Sequence, residues 1–327
     1  MKSANSTEET FWLSPEYKKG LVSVIIPLYN RAHLIKETID SVINQSYRPI
    51  ECIVVDDGST DQSRLVVEEY ISKYSGDVSF KYYYQDNKGA QAARNFGSRK
   101  ACGAYFQYLD SDDILFPEKI SLQIAKLKDY PSFDGAFSNW CEGTKKKNSL
   151  VEKYKNDVID LVGYFKTKPF IPFSMLLHRN AIITIGEWNE LLTINEEFDY
   201  QIRFLLSGFK FKYVEINSGL WRVHNGFKLS DTNSFKNLHY YNCNIIKTIK
   251  DAGHWREEIG INIANNILWA VLRRNYEFSN FKVTLLLLAR KYDKNLLPFQ
   301  SKKVKIISLI FGKRIALKFW LLTLRYI

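Results

Sequence analysis

The chain has 327 residues, of which 46% are apolar and 25% are charged, an ordinary balance for a folded protein with a substantial core. Its net charge of +11 lies in one part of the sequence: residues 241–327 hold 16 Lys+Arg and 5 Asp+Glu, whereas residues 1–240 hold 30 of each. This uneven distribution argues against a nucleic-acid-binding protein that is basic throughout.

The N-terminal residues 1–20 are polar and lack the apolar core of a signal peptide, so we expect a flexible lead-in. No run of about 18 residues is uniformly apolar, and no transmembrane helix is predicted. The cysteines lie far apart without metal-ligand spacing, which indicates reduced thiols in a cytoplasmic protein. They are Cys52, Cys102, Cys141 and Cys243.

Strand and helix patterns alternate through the first third of the chain. Continuous apolar, β-rich runs typical of strands buried on both faces occupy residues 21–30, 50–61, 78–86 and 104–110. Helical spacing of apolar side chains follows each of the first three runs. Strands and helices joined by short connections predict an α/β fold with a doubly wound, mostly parallel sheet.

The carboxyl ends of the predicted strands carry polar side chains. Ligands of doubly wound sheets bind at these ends. The residues that fall there are Tyr29, Asp56, Asp57, Asp110 and Asp112.

The alternation weakens after residue 115. The Lys-rich residues 143–157 predict an exposed loop, and residues 169–179 predict a strand. A helix ending near Gly208 is followed by a further strand, and the chain from about residue 237 is predicted to be helical.

An acidic trio follows the fourth predicted strand in "YFQYLDSDDILFP": Asp110, Asp112 and Asp113. These side chains suit caps for a turn and for a helix beginning near Pro117. An Asp-x-Asp at a strand end equally suits a Mg²⁺ or Mn²⁺ site that holds a diphosphate. The motif is short, and by itself it leaves both interpretations open.

Two further motifs are equally ambiguous. "VVDDGSTD" places Asp56 and Asp57 where they are either turn and cap residues or part of a ligand site. "DNKGAQAARNFG" places Arg94 on a predicted helix, where it would bind a diphosphate, pair with the acidic trio or form a surface ion pair.

The later part of the chain contains a second acidic cluster in "INEEFDYQIRF". On a helix, Glu196 and Asp199 share a face and Glu197 lies beside it. An acidic first turn favoured by the helix dipole is the structural alternative. In "LWRVHNG", His224 is either a structural histidine or a ligand.

Together these motifs resemble those of family 2 glycosyltransferases, over roughly residues 20–230. "VSVIIPLYNRAHLIKETIDSVINQSYRPIECIVVDDGSTD", "DNKGAQAARNFG" and "YLDSDDILFP" occur in that order. The resemblance implies the GT-A fold, a Rossmann-like doubly wound sheet. It also implies inverting, metal-dependent transfer of a sugar from a nucleotide donor, most readily a UDP-sugar, with Mn²⁺ or Mg²⁺ as cofactor.

The resemblance also implies roles for the residues that contact the donor. Pro27, Tyr29 and Asp57 would hold the nucleotide base, with Asp57 accepting from the ring N–H of a uracil and Asp56 beside it. Arg94 would lie near the nucleotide.

The Asp110-Ser111-Asp112 segment matches the Asp-x-Asp motif of the family. In that comparison Asp112 would contact the metal, Asp110 would contact the ribose or a metal-bound water, and His224 would complete the metal site or touch the diphosphate.

The catalytic base implied by the resemblance is Glu197, which stands where the family usually has Asp. Glu is competent as a base but is one methylene longer, so Glu196 and Asp199 remain alternatives. The implied reaction is attack of an acceptor hydroxyl on the sugar with inversion.

The sequence patterns and the resemblance together divide the chain into a lead-in (1–20), a GT-A domain (21–236) and a basic helical C-terminal region (237–327). The last region is either a cap on the domain or an interfacial helix on anionic lipid, with Trp320 inserted. The second interpretation suits a lipid-linked or glycan acceptor in cell-surface polysaccharide synthesis. It would place the protein peripherally on the inner face of the plasma membrane.

Two other functions were weighed. A nucleotide-sugar-binding module would need Asp57 and Asp112 but no base. The acidic cluster at residues 196–199 argues against it, although Glu197 in place of the usual Asp leaves this alternative open. A nucleotidyltransferase usually has a Gly-rich phosphate loop after its first strand, and "PLYNRAH" contains no glycine.

Overall fold

The computed structural model describes residues 12–144, 148–150, 158–159, 164, 171–192, 196–223 and 245–254. The chain divides into two compact units, one formed by residues 1–160 and 168–227 and the other by residues 161–167 and 228–327. Within the second unit the description covers residue 164 and residues 245–254, of which 245–251 are helical. The basic region beyond residue 254, including Trp320, lies outside the described residues.

The first unit contains ten strands within the described ranges. They are β1 (Lys18–Leu28), β2 (Ile50–Asp57), β3 (Ser79–Gln85), β4 (Gly103–Tyr108), β5 (Ile114–Leu115), β6 (Gly135–Gly143), β7 (Asn148–Leu150), β8 (Val158–Ile159), β9 (Met175–His178) and β10 (Phe211–Arg222).

The helices of this unit lie between those strands. They are α1 (Ile35–Ile43), α2 (Ser63–Lys73), α3 (Ala90–Lys100), α4 (Lys119–Asp129), α5 (Arg179–Ile185) and α6 (Glu196–Leu206), with a short 3₁₀ turn at Pro172–Ser174.

The strands form one mixed sheet in the order β3-β2-β1-β4-β9-β6-β10-β5, with β7 beside β6 and β8 beside β10. The neighbouring strands β3, β2, β1 and β4 pair in parallel, as do β6 and β10. Strands β5, β7, β8 and β9 pair antiparallel with their neighbours. The predicted doubly wound, mostly parallel sheet is therefore confirmed, and its order and its antiparallel members are new information.

The strand register aligns the carboxyl ends of the central strands. Leu28 of β1 pairs with Asp56 of β2, and Ile25 pairs with Tyr108 of β4. The loops that follow these strands consequently meet at one edge of the sheet, where sequence reasoning placed the ligand.

Helix α3 packs against the sheet through a glycine in its middle. A Cβ on Gly97 would lie 2.6 Å from Ile25 Cγ2 and 3.3 Å from Val55 Cγ2. Only a residue without a side chain allows this approach. This packing determines how far Arg94 and Asn95, on the same helix, lie from the sheet edge.

Part of the expected flexible lead-in packs on the first unit. Leu13 is buried, Ser14 accepts a hydrogen bond from Arg179 through its carbonyl, and Trp12 donates to the Ile183 carbonyl. Strand β1 begins at Lys18, three residues before the expected start of the domain. Among the described residues, no helix is long and apolar enough to cross a membrane.

Candidate functional site

The loops after β1 and β2 are held together by the side chain of Asn30. Its Oδ1 accepts from the backbone N–H groups of Thr60 (2.8 Å) and Asp61 (3.2 Å), and its own N–H donates to Ser59 Oγ. Asn30 adopts a left-handed conformation with φ 51°, which Asn tolerates better than most residues. The preceding Tyr29 stays 43% exposed at the end of the strand.

Asp56 and Asp57 are both buried, and both carboxylates are hydrogen-bonded within the protein. Asp56 accepts from the Tyr82 hydroxyl and the Ser59 N–H, each at 2.8 Å. Burial and the Asp56 charge raise the pKa of Tyr82, so the phenol remains a donor. Asp56 thus supports the loops, as the turn interpretation of the motif expected.

Asp57 anchors the entry to α3. Its carboxylate accepts from Gln85 Nε2 at 2.7 Å and from the backbone N–H groups of Lys88 and Gly89 at 2.8 Å each. A carboxylate has acceptor capacity for about four donors, so a further donor such as a nucleobase N–H is compatible with this geometry. Pro27 lies within β1, where it pairs with Val55.

The acidic loop after β4 contains one buried and two accessible carboxylates. Asp113 is 3% exposed, its N–H donates to the Asp110 carbonyl, and its carboxylate accepts from the Arg222 N–H at 3.1 Å. Burial together with the Asp112 and Asp110 charges raises the pKa of Asp113 well above its usual value. Asp113 is therefore a structural member of the trio.

Asp110 and Asp112 remain accessible at the sheet edge, with side-chain exposures of 32% and 23%. Each is paired with an arginine: Asp110 with Arg94 at 2.7 Å, and Asp112 with Arg31 at 3.1 Å. Ser111, between them, is buried, and its carbonyl accepts from Thr38 Oγ1.

Arg222, at the end of β10, fastens the acidic loop to α1. Its guanidinium donates to the Asp112 carbonyl, to Glu37 Oε2 at 2.7 Å and to Thr38 Oγ1 at 2.8 Å. Sequence reasoning singled out only His224 in this segment, and His224 lies outside the described residues. The position of Arg222 two residues before His224 in "LWRVHNG" was the signal that could have drawn attention to it.

Arg94 connects the acidic loop with the second acidic cluster. Its side chain is 3% exposed, with Nη2 2.7 Å from Asp110 Oδ1 and Nη1 3.2 Å from Glu196 Oε1. The Trp188 ring lies 4.6 Å from its guanidinium carbon. Although burial opposes the charge, Asp110 and Glu196 raise the pKa of Arg94, so the group stays cationic.

The three candidate bases on α6 have different surroundings. Glu196 pairs with Arg94, while Asp199 accepts from Arg203 Nε at 2.9 Å and Nη2 at 2.8 Å. Glu197 is partly buried, and burial together with the neighbouring Glu196 raises its pKa to about 8. A carboxylate with a raised pKa is the better proton acceptor, which favours Glu197 over the two ion-paired residues.

Residues 186–192, the segment leading to α6, are held by polar side chains of α3. Asn95 donates to the Trp188 carbonyl at 2.9 Å and accepts from the Trp188 N–H at 2.7 Å, and it also donates to Glu190. Gln91 donates to the Leu192 carbonyl at 2.6 Å. Local sequence patterns carry no signal for this contact, because it joins residues 93 or more positions apart.

The Trp188 ring completes the connection between the segment and α6. It stacks on Tyr200 of α6 at a centroid distance of 4.1 Å and an interplanar angle of 6°. It also meets Tyr108 of β4 edge to face. Arg94 and Tyr200 are thus both in contact with one ring.

The donor set available for a cation consists of the accessible oxygens of Asp110 and Asp112. Carboxylate oxygens are the ligands that Mg²⁺ and Mn²⁺ prefer, and two carboxylates at a strand end leave coordination positions for water and phosphate oxygens. The described residues contain no group of three His, Cys, Asp or Glu side chains arranged to hold a metal. The two carboxylates fit a divalent cation that binds together with its diphosphate.

Comparison with known proteins assigns the family. Residues 23–186, half of the chain, match the family described as Glycosyl transferase family 2. An uncharacterized glycosyltransferase of Rickettsia typhi is 32% identical over 192 residues, which cover 57% of this chain and 58% of the relative. The chain therefore belongs to glycosyltransferase family 2, and the match spans little more than half the length of that relative.

Solved structures share the fold. TarS of S. aureus, in complex with UDP-GlcNAc, superimposes with a TM-score of 0.68 at 18% identity, covering 84% of this chain and 82% of that chain. Mannosyltransferase PcManGT from Pyrobaculum calidifontis, in complex with GDP-Man and Mn²⁺, gives a TM-score of 0.57 at 16% identity, covering 97% and 90%. The expected GT-A fold is thereby confirmed.

The hydrogen bonds between Asn95 of α3 and the backbone of Trp188, here called the clamp, give a stability prediction. Asn95→Ala leaves the buried Trp188 N–H and carbonyl without their partner, and it should lower the free energy of unfolding by about 2–4 kcal/mol. Urea denaturation followed by circular dichroism measures the change. Asn180→Ala, at an exposed position on α5, is the matched control and should cost less than about 0.5 kcal/mol. Equal effects at both positions would contradict the clamp.

Proposed function

We propose that this protein is a metal-dependent, inverting glycosyltransferase that moves a sugar from a nucleotide donor, a UDP-sugar, to an acceptor hydroxyl. Family membership supports sugar transfer from a nucleotide. The observation that carries the assignment of the site is Arg94, a buried cation shared by Asp110 on the donor side and Glu196 beside the proposed base. One residue joins both halves of a two-substrate reaction.

The donor would occupy the carboxyl edge of the sheet. Tyr29 is exposed there, just after Pro27 at the end of β1, and would contact the nucleobase. Asp57 retains acceptor capacity for a uracil N–H. Asp110 and Asp112 would hold the divalent cation, which when bound neutralises charge on the diphosphate leaving group. His224 remains a proposed additional ligand.

The transfer step forms one bond and breaks one. Glu197 takes the proton of the acceptor hydroxyl while the acceptor oxygen attacks the anomeric carbon. The bond from that carbon to the diphosphate oxygen breaks, and its electron pair leaves with the nucleoside diphosphate. A single displacement of this kind inverts the anomeric centre, and it needs no strong general acid because the leaving group is already stable.

A donor panel tests the proposed activity. Purified protein with Mn²⁺ is offered UDP-, GDP- and dTDP-sugars, and release of free nucleoside diphosphate is followed. We expect release from a UDP-sugar that is lost on chelation of the metal and in Asp112→Ala. Arg64→Gln, on the exposed face of α2, is the control and should keep the wild-type rate.

Other results of the panel would change the proposal. Turnover of a GDP- or dTDP-sugar would correct the donor. Binding without turnover, even with acceptors present, would favour a nucleotide-sugar-binding module. Binding of no donor would contradict the proposed function.

The base assignment predicts a loss of chemistry without a loss of binding. Glu197→Gln should lower kcat by at least about 100-fold, the usual contribution of a positioned base, with the donor Kd unchanged. Because the base acts in its ionised form, wild-type kcat/KM should fall as the pH is lowered through about 8. Asp199→Asn and Glu68→Gln should retain this pH profile. Near-wild-type turnover by Glu197→Gln would remove Glu197 from the role.

The acceptor and location are proposals that rest on the basic sequence at residues 241–327. We propose a glycan or lipid-linked acceptor of cell-surface polysaccharide synthesis and peripheral contact with anionic lipid on the inner face of the plasma membrane. The full chain should float with phosphatidylglycerol liposomes and not with phosphatidylcholine liposomes. A chain ending at Ser279 should lose this flotation, and equal flotation of both chains would contradict the role of the C-terminal residues.

A further inference from the structure

An arginine that the proposed mechanism does not use lies on one of its metal-binding carboxylates. Arg31 Nε donates to Asp112 Oδ2 at 3.1 Å, and the two side chains are 18% and 23% exposed. Arg31 follows β1 and Asp112 follows β4, and these strands pair in parallel, so the two loops are neighbours at the sheet edge. The guanidinium therefore neutralises the carboxylate that the proposed cation would need.

The main chain at Arg31 is fixed. Its N–H donates to Ser63 Oγ at 2.8 Å, and its carbonyl accepts from the N–H groups of Leu34 and Ile35 at 2.9 Å each, at the start of α1. Ala32, the next residue, donates its N–H to Asp61. Besides pairing with Asp112, the partly exposed Arg31 side chain donates from Nη1 to the Asn30 carbonyl at 3.2 Å. A response of Arg31 to a ligand would therefore move its side chain and leave its main chain in place.

The other two arginines of the site are more deeply buried than Arg31. Arg94 is 3% exposed and binds two carboxylates, and Arg222 is 6% exposed and holds the acidic loop on α1. Arg31 is the least buried of the three. Of the three ion pairs, the one made by Arg31 is therefore expected to cost the least free energy to break, because water can solvate its separated charges best.

A divalent cation and a guanidinium repel each other when they share one carboxylate. A nucleoside diphosphate brings negative oxygens to the same place, and a guanidinium binds phosphate oxygens through paired, charge-assisted hydrogen bonds. Binding of the metal–diphosphate pair would therefore displace Arg31 from Asp112 and offer it a new anion within reach of its side chain.

We propose that Arg31 is a diphosphate-binding residue that neutralises Asp112 in the donor-free protein and transfers its ion pair to the donor diphosphate when the cation binds. This inference rests on the proposed metal site. It predicts opposite effects of Arg31 on two ligands: Arg31 opposes binding of the metal alone and favours binding of the metal–nucleotide complex.

Binding measurements without turnover test the proposal. Free Mn²⁺ is followed by its electron paramagnetic resonance signal during titration of the full-length protein, first alone and then with UDP. Arg31→Gln should bind Mn²⁺ alone roughly fivefold more tightly, the size expected for losing one partly exposed ion pair. It should bind UDP with Mn²⁺ about tenfold more weakly, as expected for loss of a charge-assisted contact.

Three further variants sharpen the comparison. Arg31→Lys keeps the positive charge but lacks the paired N–H donors of arginine. It should bind Mn²⁺ alone as weakly as the wild-type protein does, and it should bind UDP with Mn²⁺ more tightly than Arg31→Gln but less tightly than the wild-type protein. Arg64→Gln removes an exposed arginine paired with Glu68 and should change neither affinity. Asp112→Asn should weaken Mn²⁺ binding under both conditions.

The outcomes separate this inference from the proposed function. If Asp112→Asn weakens Mn²⁺ binding while Arg31→Gln changes both affinities in the same direction, or changes neither, the transfer of the ion pair is wrong and the metal site stands. If Asp112→Asn leaves Mn²⁺ binding unchanged, the metal site is wrong and this inference is wrong with it.

Discussion

A buried guanidinium shared by two carboxylates is the interaction on which the rest of the site depends. Arg94 is 3% exposed, and its charge is compensated by Asp110 and Glu196 together. Removing one partner of a buried ion pair typically costs about 3–5 kcal/mol, because the remaining charge cannot be solvated. The loop after β4 and the first turn of α6 are therefore held at a fixed separation by one side chain.

Helix α3 supplies the common support for both halves of the site. Asp57 holds its N-terminus, Gly97 lets it lie close on β1 and β2, and Asn95 binds the backbone of Trp188. Arg94, which pairs with Asp110 and Glu196, and Asn95, which binds the backbone of Trp188, thus project from adjacent positions of one helix. Contacts on such a rigid element hold side chains more accurately than contacts between loops would.

Some strands could be identified from the amino-acid sequence and others could not. The apolar runs of strands β1, β2 and β4 each contain a single polar interruption, at Ser23, Glu51 and Gln107, and both the strands and their polar carboxyl ends could be identified. Strand β6 could not, because two adjacent polar residues, Ser138 and Asn139, interrupt its apolar pattern. Those two side chains are buried and satisfied by Gln123 and by Tyr213, partners that only the folded chain brings near. Local periodicity carries no information about such distant hydrogen bonds.

The sequence by itself determined the fold class and the edge of the sheet at which Asp57, Asp110 and Asp112 collect, because strand burial and strand ends are written in local patterns. The tertiary structure decided which carboxylates are accessible, which are structural and which arginine neutralises each one. Those properties depend on burial and on charges contributed by distant segments. Glu197 and Asp199 lie two positions apart on α6. Burial together with the Glu196 charge raises the pKa of Glu197, whereas Asp199 is paired with Arg203, and the burial of Glu197 is set by the folded chain.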